Sequence, residues 1–271
     1  MNKISLIGAG NIGGTLAYII AEKNLCDEIL LVDIADGLAQ GKALDLAQSR
    51  AINGFSTKYT GTDNLSHIHD SQVVIVTAGV ARKPGMTRDD LIEINLKVMK
   101  DIGNAIKNYS PKAFVVCVTN PLDAMVWILK KVSGLQKQMI VGMAGTLDSS
   151  RFRFFLSEAL QISEKYIQTM VLGGHGDTMV PLLKYTTISG IPLLELINKN
   201  MISRSKVDEI VQRTRNGGGE IVKLLKNSSA FYAPAISTVE IVESFLKNEK
   251  KLIPCSSYLE GEYDVENLFV G

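Results

Sequence analysis

His175 is the residue best suited to proton chemistry, because Gly173-Gly174-His175-Gly176-Asp177 sets an imidazole in a glycine-rich turn with space around the ring for a ligand. An imidazole titrates near neutrality, which suits a reaction that moves a proton together with a hydride, as alcohol oxidation does. Such a base needs a carboxylate that fixes its tautomer and stabilises the imidazolium. Asp148, opening a helical stretch that continues Ser149-Ser150-Arg151, is the first candidate. Asp177 is the nearer alternative, and it can equally hydrogen-bond its own turn. Arg151 lies three residues after Asp148 on the same helical face and offers a bidentate grip on a substrate carboxylate. An ordinary ion pair between the two is the plainer alternative. Arg153 projects from another face and reads as structural. His67 and His69 sit in the polar stretch from Asn64 to Asp70 without a third ligand nearby, so they read as solvated and no metal site is expected.

Two further groups of residues offer anion chemistry. Gly8-Ala9-Gly10-Asn11-Ile12-Gly13 follows the apolar run Ile4 to Ile7 and opens a helical stretch, the context in which G-x-G-x-x-G acquires meaning. Gly8 permits a tight turn, Gly10 lets the backbone approach a pyrophosphate, and Gly13 lets helix and strand pack closely, with free N–H groups and the helix dipole favouring the anion. Asp33 ends the second strand 20 residues after Gly13, where a carboxylate accepts hydrogen bonds from an adenosine ribose. It would repel a 2′-phosphate, and Ile34 and Ala35 supply no cation, so NAD is expected rather than NADP. The other group is the loop from Ala78 to Arg88, in which Arg82, Lys83 and Arg88 could close over a dianionic substrate and exclude water. The same charges read alternatively as a solvated basic loop. Asn120, in Thr119-Asn120-Pro121, offers an amide at the end of another strand, and the proline restricts that turn.

These residues need elements to hold them. Up to about Gly145, apolar runs rich in Val and Ile alternate with stretches of helical period: Ile4 to Ile7, Glu28 to Val32, Val73 to Thr77, Phe114 to Thr119 and Met139 to Val141. They read as buried parallel strands joined by helical crossovers, an α/β Rossmann sheet, doubly wound with helices on both faces. After Leu147 the pattern becomes α+β, with a helix from Asp148 to Leu160 and strand-like runs Ile167 to Leu172 and Val180 to Thr187. Long helices follow around Ser203 to Lys226 and Ala230 to Lys247, then strands Leu252 to Leu259 and Asn267 to Val270 joined through Glu260-Gly261-Glu262. Two domains are expected, 1–145 for the nucleotide and 146–271 for the substrate, which also fits 271 residues at roughly 150 per domain. The run Gly217-Gly218-Gly219 either makes room beside a substrate or breaks a helix.

Composition narrows the classes of function. With 29 Lys+Arg against 28 Asp+Glu the formal charge is +1, which argues against a nucleic-acid footprint or a polybasic membrane surface. The longest apolar runs fall far short of the ~20 residues that span a bilayer, and the first residues enter a strand without the features of an export signal. Cys26, Cys117 and Cys255 are widely separated and lack metal-ligand spacing, so a reducing, cytoplasmic setting is expected.

In order along the chain, GAGNIGG, LVDI, AGVARKPGMTRDDL, VTNPLD, LDSSRF and GGHGDTMVP closely resemble the malate dehydrogenases of the lactate-dehydrogenase-like type, within the lactate/malate dehydrogenase family. The resemblance implies NAD as cofactor and reversible oxidation of malate to oxaloacetate. It implies that His175 is the proton donor and acceptor, that Asp148 is its partner, and that Arg151 binds the carboxylate beside the reacting carbon. It makes Arg88 the residue that polarises the carbonyl and Arg82 the one that selects the substrate, where lactate dehydrogenases typically carry a neutral glutamine. Asn120 corresponds to an asparagine beside nicotinamide and substrate. A homodimer or homotetramer is implied as well. Members of that family normally continue through more strand and a last long helix, so the resemblance implies a substrate domain truncated at its C-terminus. The alternatives are a lactate or other 2-hydroxy acid dehydrogenase, and an NAD-binding fragment impaired in catalysis.

Overall fold

The computed structural model describes residues 2–80 and 88–271. Elements run β1 (Lys3–Ile7), α1 (Asn11–Glu22), β2 (Glu28–Val32), α2 (Leu38–Asn53), β3 (Lys58–Thr62), β4 (Val73–Val76), α3 (Arg88–Tyr109), β5 (Phe114–Cys117), α4 (Leu122–Ser133) and β6 (Ile140–Gly142). They continue as α5 (Gly145–Leu160), β7 (Ile167–Gln168), β8 (Val171–Gly173), β9 (Met179–Pro181), β10 (Thr187–Ile188), β11 (Ile191–Pro192), α6 (Leu193–Asn198), α7 (Arg204–Leu225), α8 (Tyr232–Lys247), β12 (Ser257–Glu260) and β13 (Glu266–Val270).

The first six strands form one parallel sheet in the order β3-β2-β1-β4-β5-β6, the arrangement of a doubly wound nucleotide-binding fold. Its centre is apolar on both faces: Ile4, Leu6, Ile29, Leu31 and all of Val73 to Val76 are buried, as strands covered by helices on both sides must be. The strand order reverses between β1 and β4, so a crevice opens at their C-terminal ends. Strand β3 is absent from the sequence reading. It carries Lys58-Tyr59-Thr60-Gly61-Thr62 at the sheet edge and alternates in exposure instead of forming an apolar run. Gly61 admits α2, because a Cβ there would lie 2.3 Å from the Ala39 carbonyl oxygen.

Two compact units emerge. One comprises Met1–Met143 with Phe231–Lys251 and Ser257–Phe269; the other comprises Ala144–Ala230, Leu252–Ser256 and Val270–Gly271. In the first, α8 packs along α1, Phe245 stacks on Phe114 with ring centroids 4.1 Å apart, and Glu243 takes Lys23 at 2.7 Å. Helix α8 therefore belongs to the compact unit of the sheet, although it follows Ala144–Ala230 in sequence.

In the second unit, α5 and α7 pack together over a core that includes Phe152, Leu156, Ile167, Val171, Leu193, Val207 and Ile210. The apolar stretches expected here as single strands are interrupted. Ile167 to Leu172 divides into β7, which pairs with β10, and β8, which pairs with β9. Val180 to Thr187 breaks after Pro181, a residue with no N–H to give to a ladder, and passes through a 3₁₀ turn, Leu183–Tyr185, before β10. Of the run Leu252 to Leu259, the portion around Pro254, which belongs to this unit, is not strand; the strand begins at Ser257, in the first unit.

Candidate active site

The turn between β1 and α1 is built by exclusion. Gly8 has φ +109°, and a Cβ on it would meet Thr77 Oγ1 at 2.5 Å and the Ala78 nitrogen at 2.7 Å. A Cβ on Gly13 would lie 1.9 Å from the Gly8 carbonyl oxygen, so helix and turn approach as only glycine allows. A Cβ on Gly10, by contrast, would meet nothing within 4 Å. Among the described residues, space thus lies open beside Gly10, no side chain caps it, and the first turn of α1 carries no acidic residue. Asn11 and Ile12 are the first two residues of that helix. The donor set fits an anionic pyrophosphate.

Asp33 completes this side of the sheet. Its Oδ2 accepts from the Ala9 nitrogen at 2.7 Å and its Oδ1 from the Ala35 nitrogen at 2.9 Å, so the carboxylate is held against the glycine turn. Lys42, which the sequence reading did not single out, donates from Nζ to the Gly10 carbonyl oxygen at 2.8 Å. A lone lysine four residues into a helix gives no signal of this in sequence. Its cation adds to the positive field beside the turn.

At the C-terminal ends of β4 and β5, Asn120 stands in a cis Asn120–Pro121 peptide. Asn95 braces it: buried on α3, it donates from Nδ2 to the Asn120 carbonyl oxygen at 2.9 Å and accepts the Val80 N–H on Oδ1 at 2.8 Å. A sequence signal for Asn95 existed. It interrupts the otherwise apolar buried series Leu91, Met99, Ile102 and Ile106 on that helix, and a buried amide must find partners. Arg82 and Lys83 lie outside the described residues, as does the side chain of Arg88, the first residue of α3.

In the second unit the hairpin of β8 and β9 carries His175 in its turn. Helix α5 is fastened to that hairpin: the Ser149 hydroxyl accepts from the Val171 nitrogen at 2.9 Å, and a Cβ on Gly145 would lie 2.4 Å from the Val171 carbonyl oxygen. The fastening brings His175 Nδ1 to 2.8 Å from Asp148 Oδ2. Asp148 is 2% exposed and His175 13%. The other oxygen, Oδ1, faces Arg151 Nη1 at 3.5 Å. Arg151 is largely enclosed, and its Nε is buried without a hydrogen-bond partner among the described residues. Burial lowers the pKa of the guanidinium from its usual value, and the Asp148 charge opposes that. Its charge is thus only weakly compensated by a partner 3.5 Å away, an arrangement that favours an incoming carboxylate.

The remaining candidates stand apart. Asp177 is exposed, as are His67 and His69. Among the described residues no group of three or more His, Cys, Asp or Glu is placed to hold a metal ion, and no helix is long and apolar enough to cross a membrane. Gly217 to Gly219 do not break a helix, because α7 runs through them.

The model for the lactate/malate dehydrogenase NAD binding domain matches residues 2–142, and that for the lactate/malate dehydrogenase alpha/beta C-terminal domain matches residues 145–271. A malate dehydrogenase of Pelagibacter ubique is 58% identical over 271 residues, which is 100% of this chain and 85% of that protein. The crystal structure of Cryptosporidium parvum malate dehydrogenase superposes with a TM-score of 0.96 at 48% identity, covering 100% of this chain and 86% of that one. The lactate dehydrogenase of Eimeria maxima with NADH and oxamate gives 0.96 at 42% identity, covering 100% and 82%.

Proposed function

The chain belongs to the lactate/malate dehydrogenase family, and from that premise we propose that it catalyses the reversible, NAD-dependent oxidation of (S)-malate to oxaloacetate. The observation that carries the reading is the single buried carboxylate of Asp148, with His175 on one oxygen and Arg151 facing the other. With its Nδ1–H given to Asp148, a neutral His175 has Nε2 as the basic atom of its ring. Bound NAD supplies the hydride acceptor. As the C2–H electron pair leaves malate, His175 Nε2 takes the hydroxyl proton, and the imidazolium formed is stabilised by Asp148. In the reverse direction, protonated His175 returns that proton to the oxygen of oxaloacetate.

Arg151 grips the carboxylate next to the reacting carbon as a planar fork. Arg88 polarises the C2 oxygen, and Asn120 offers its amide to nicotinamide and substrate. Gly8, Gly10, Asn11, Ile12 and Gly13 receive the pyrophosphate and Asp33 the adenosine ribose. Arg82 pairs with the second carboxylate, because a buried arginine beside the methyl of pyruvate would lack a partner. The fold does not choose between malate and lactate, since a malate and a lactate dehydrogenase superpose on it equally well. The choice rests on Arg82. A homodimer or homotetramer is part of the same reading, supported by the family resemblance, as is a cytoplasmic setting, supported by three widely separated cysteines without metal-ligand spacing.

NADH oxidation by the purified chain, with oxaloacetate and pyruvate at matched concentrations, tests this. The expected outcome is a preference for oxaloacetate on the order of a hundredfold or more, narrowed by Arg82→Gln. A pyruvate preference would overturn the substrate reading. NADH binding without turnover of either acid would overturn the activity.

A further inference from the structure

Helix α7 carries three consecutive glycines in its interior, Gly217, Gly218 and Gly219, yet continues unbroken from Arg204 to Leu225. Glycine is among the poorest helix formers, so three together weaken the helix unless the missing side chains matter elsewhere. Their surroundings differ. A Cβ on Gly217 would lie 3.1 Å from Arg151 Cδ and 3.4 Å from Arg151 Nε. On Gly218 it would lie 3.7 Å from Arg151 Nη2 and 3.9 Å from Nη1, ordinary contact distances; on Gly219 it would meet nothing within 4 Å. The bare backbone at Gly217 and Gly218 is therefore the surface against which the Arg151 side chain lies.

Arg151 has little freedom to yield. Its side chain is 15% exposed and, among the described residues, its Nε is enclosed without a hydrogen-bond partner and its ionic contact is with Asp148, itself 2% exposed. A methyl group at Gly217 would push the arginine stem by a few tenths of an ångström, and the fork at its end would turn with it. Bidentate recognition of a carboxylate depends on the direction of that fork.

We infer that Gly217 is a positioning residue for substrate: the absence of a side chain there sets the line of the Arg151 guanidinium, and hence the affinity for the carboxylate beside the reacting carbon. The inference rests on the proposed role of Arg151. It assigns a purpose to the glycine run that is graded along it, strongest at Gly217, slight at Gly218 and nil at Gly219.

The test compares Gly217→Ala, Gly218→Ala and Gly219→Ala with Arg151→Gln in the full chain, measuring KM for oxaloacetate, kcat, the NADH dissociation constant and the circular dichroism spectrum. Gly217→Ala is expected to raise KM for oxaloacetate on the order of fivefold to tenfold, with NADH binding and the spectrum unchanged. Gly218→Ala stays within about twofold, as does Gly219→Ala. A general loosening of the helix would instead move NADH binding or the spectrum, or would affect all three alike, and either result overturns the inference. If Arg151→Gln raises KM while Gly217→Ala does not, the inference fails and the role of Arg151 stands. If Arg151→Gln leaves KM unchanged, that role fails and takes the inference with it.

Discussion

One carboxylate serves two side chains at this site, so its removal should disturb two kinetic constants together. In Asp148→Asn the amide keeps the shape but loses the charge that faces Arg151 and, in the proposed mechanism, stabilises the imidazolium. Expected in NADH-oxidation kinetics is a fall in kcat on the order of a hundredfold or more, with a raised KM for oxaloacetate. An unchanged kcat would remove Asp148 from the proposed mechanism. Both His175 and Asp148 could be singled out in sequence, because a histidine among glycines and an acid at a helix start are chemical signals in themselves. Lys42 could not, since its contact is with a backbone oxygen and leaves no spacing to read. Asn95 fell between these cases, a polar residue on an apolar face whose partners only the structure supplies.

Glycines decide much at the level of elements, and their substitution should act in opposite directions at different sites. Gly13→Ala puts a methyl 1.9 Å from the Gly8 oxygen, so α1 must move away from β1. Expected are a destabilisation of about 1–3 kcal/mol in urea unfolding and weaker NADH binding in a fluorescence titration. Gly219→Ala meets nothing and removes a helix-interior glycine, so it should stabilise by up to about 1 kcal/mol in the same unfolding measurement. Equal effects from the two variants would contradict this account. The strands of the sheet centre were readable because burial on both faces demands continuous apolar runs, as in Val73 to Val76. Edge strand β3 was not, because an element with one neighbour and a half-exposed surface needs no such run. The apolar runs around Pro181 and Pro254 suggest longer strands than form for a related reason: apolar content persists where the hydrogen-bond ladder stops.

At the scale of the whole molecule, buried acids make stability depend on alkaline pH. Burial pushes the Cys117 and Cys26 thiols from an ordinary 9.0 up to about 12, and Tyr59 from 10.0 to about 12. Below pH 9 these groups are protonated in both states and contribute no pH dependence. Between pH 9 and about 12 the unfolded chain releases protons that the folded chain retains, so stability falls as pH rises, by about 1.4 kcal/mol per pH unit for a fully buried thiol such as Cys117. The urea midpoint should accordingly decline over that window, and Cys117→Ala should flatten the decline; a flat profile in the parent protein would refute the account. The return of α8 was the least legible feature, since its apolar pattern announces a helix and not the element it will cover. That return also has a consequence for synthesis. A ribosome releases the glycine turn, the central strands and the apolar flank of α1 well before Phe231–Lys251, while the whole of Ala144–Ala230 is still to be made. Until then the nascent nucleotide-binding unit lacks the helix that covers α1, and the growing chain presents that flank to whatever attends it at the exit tunnel.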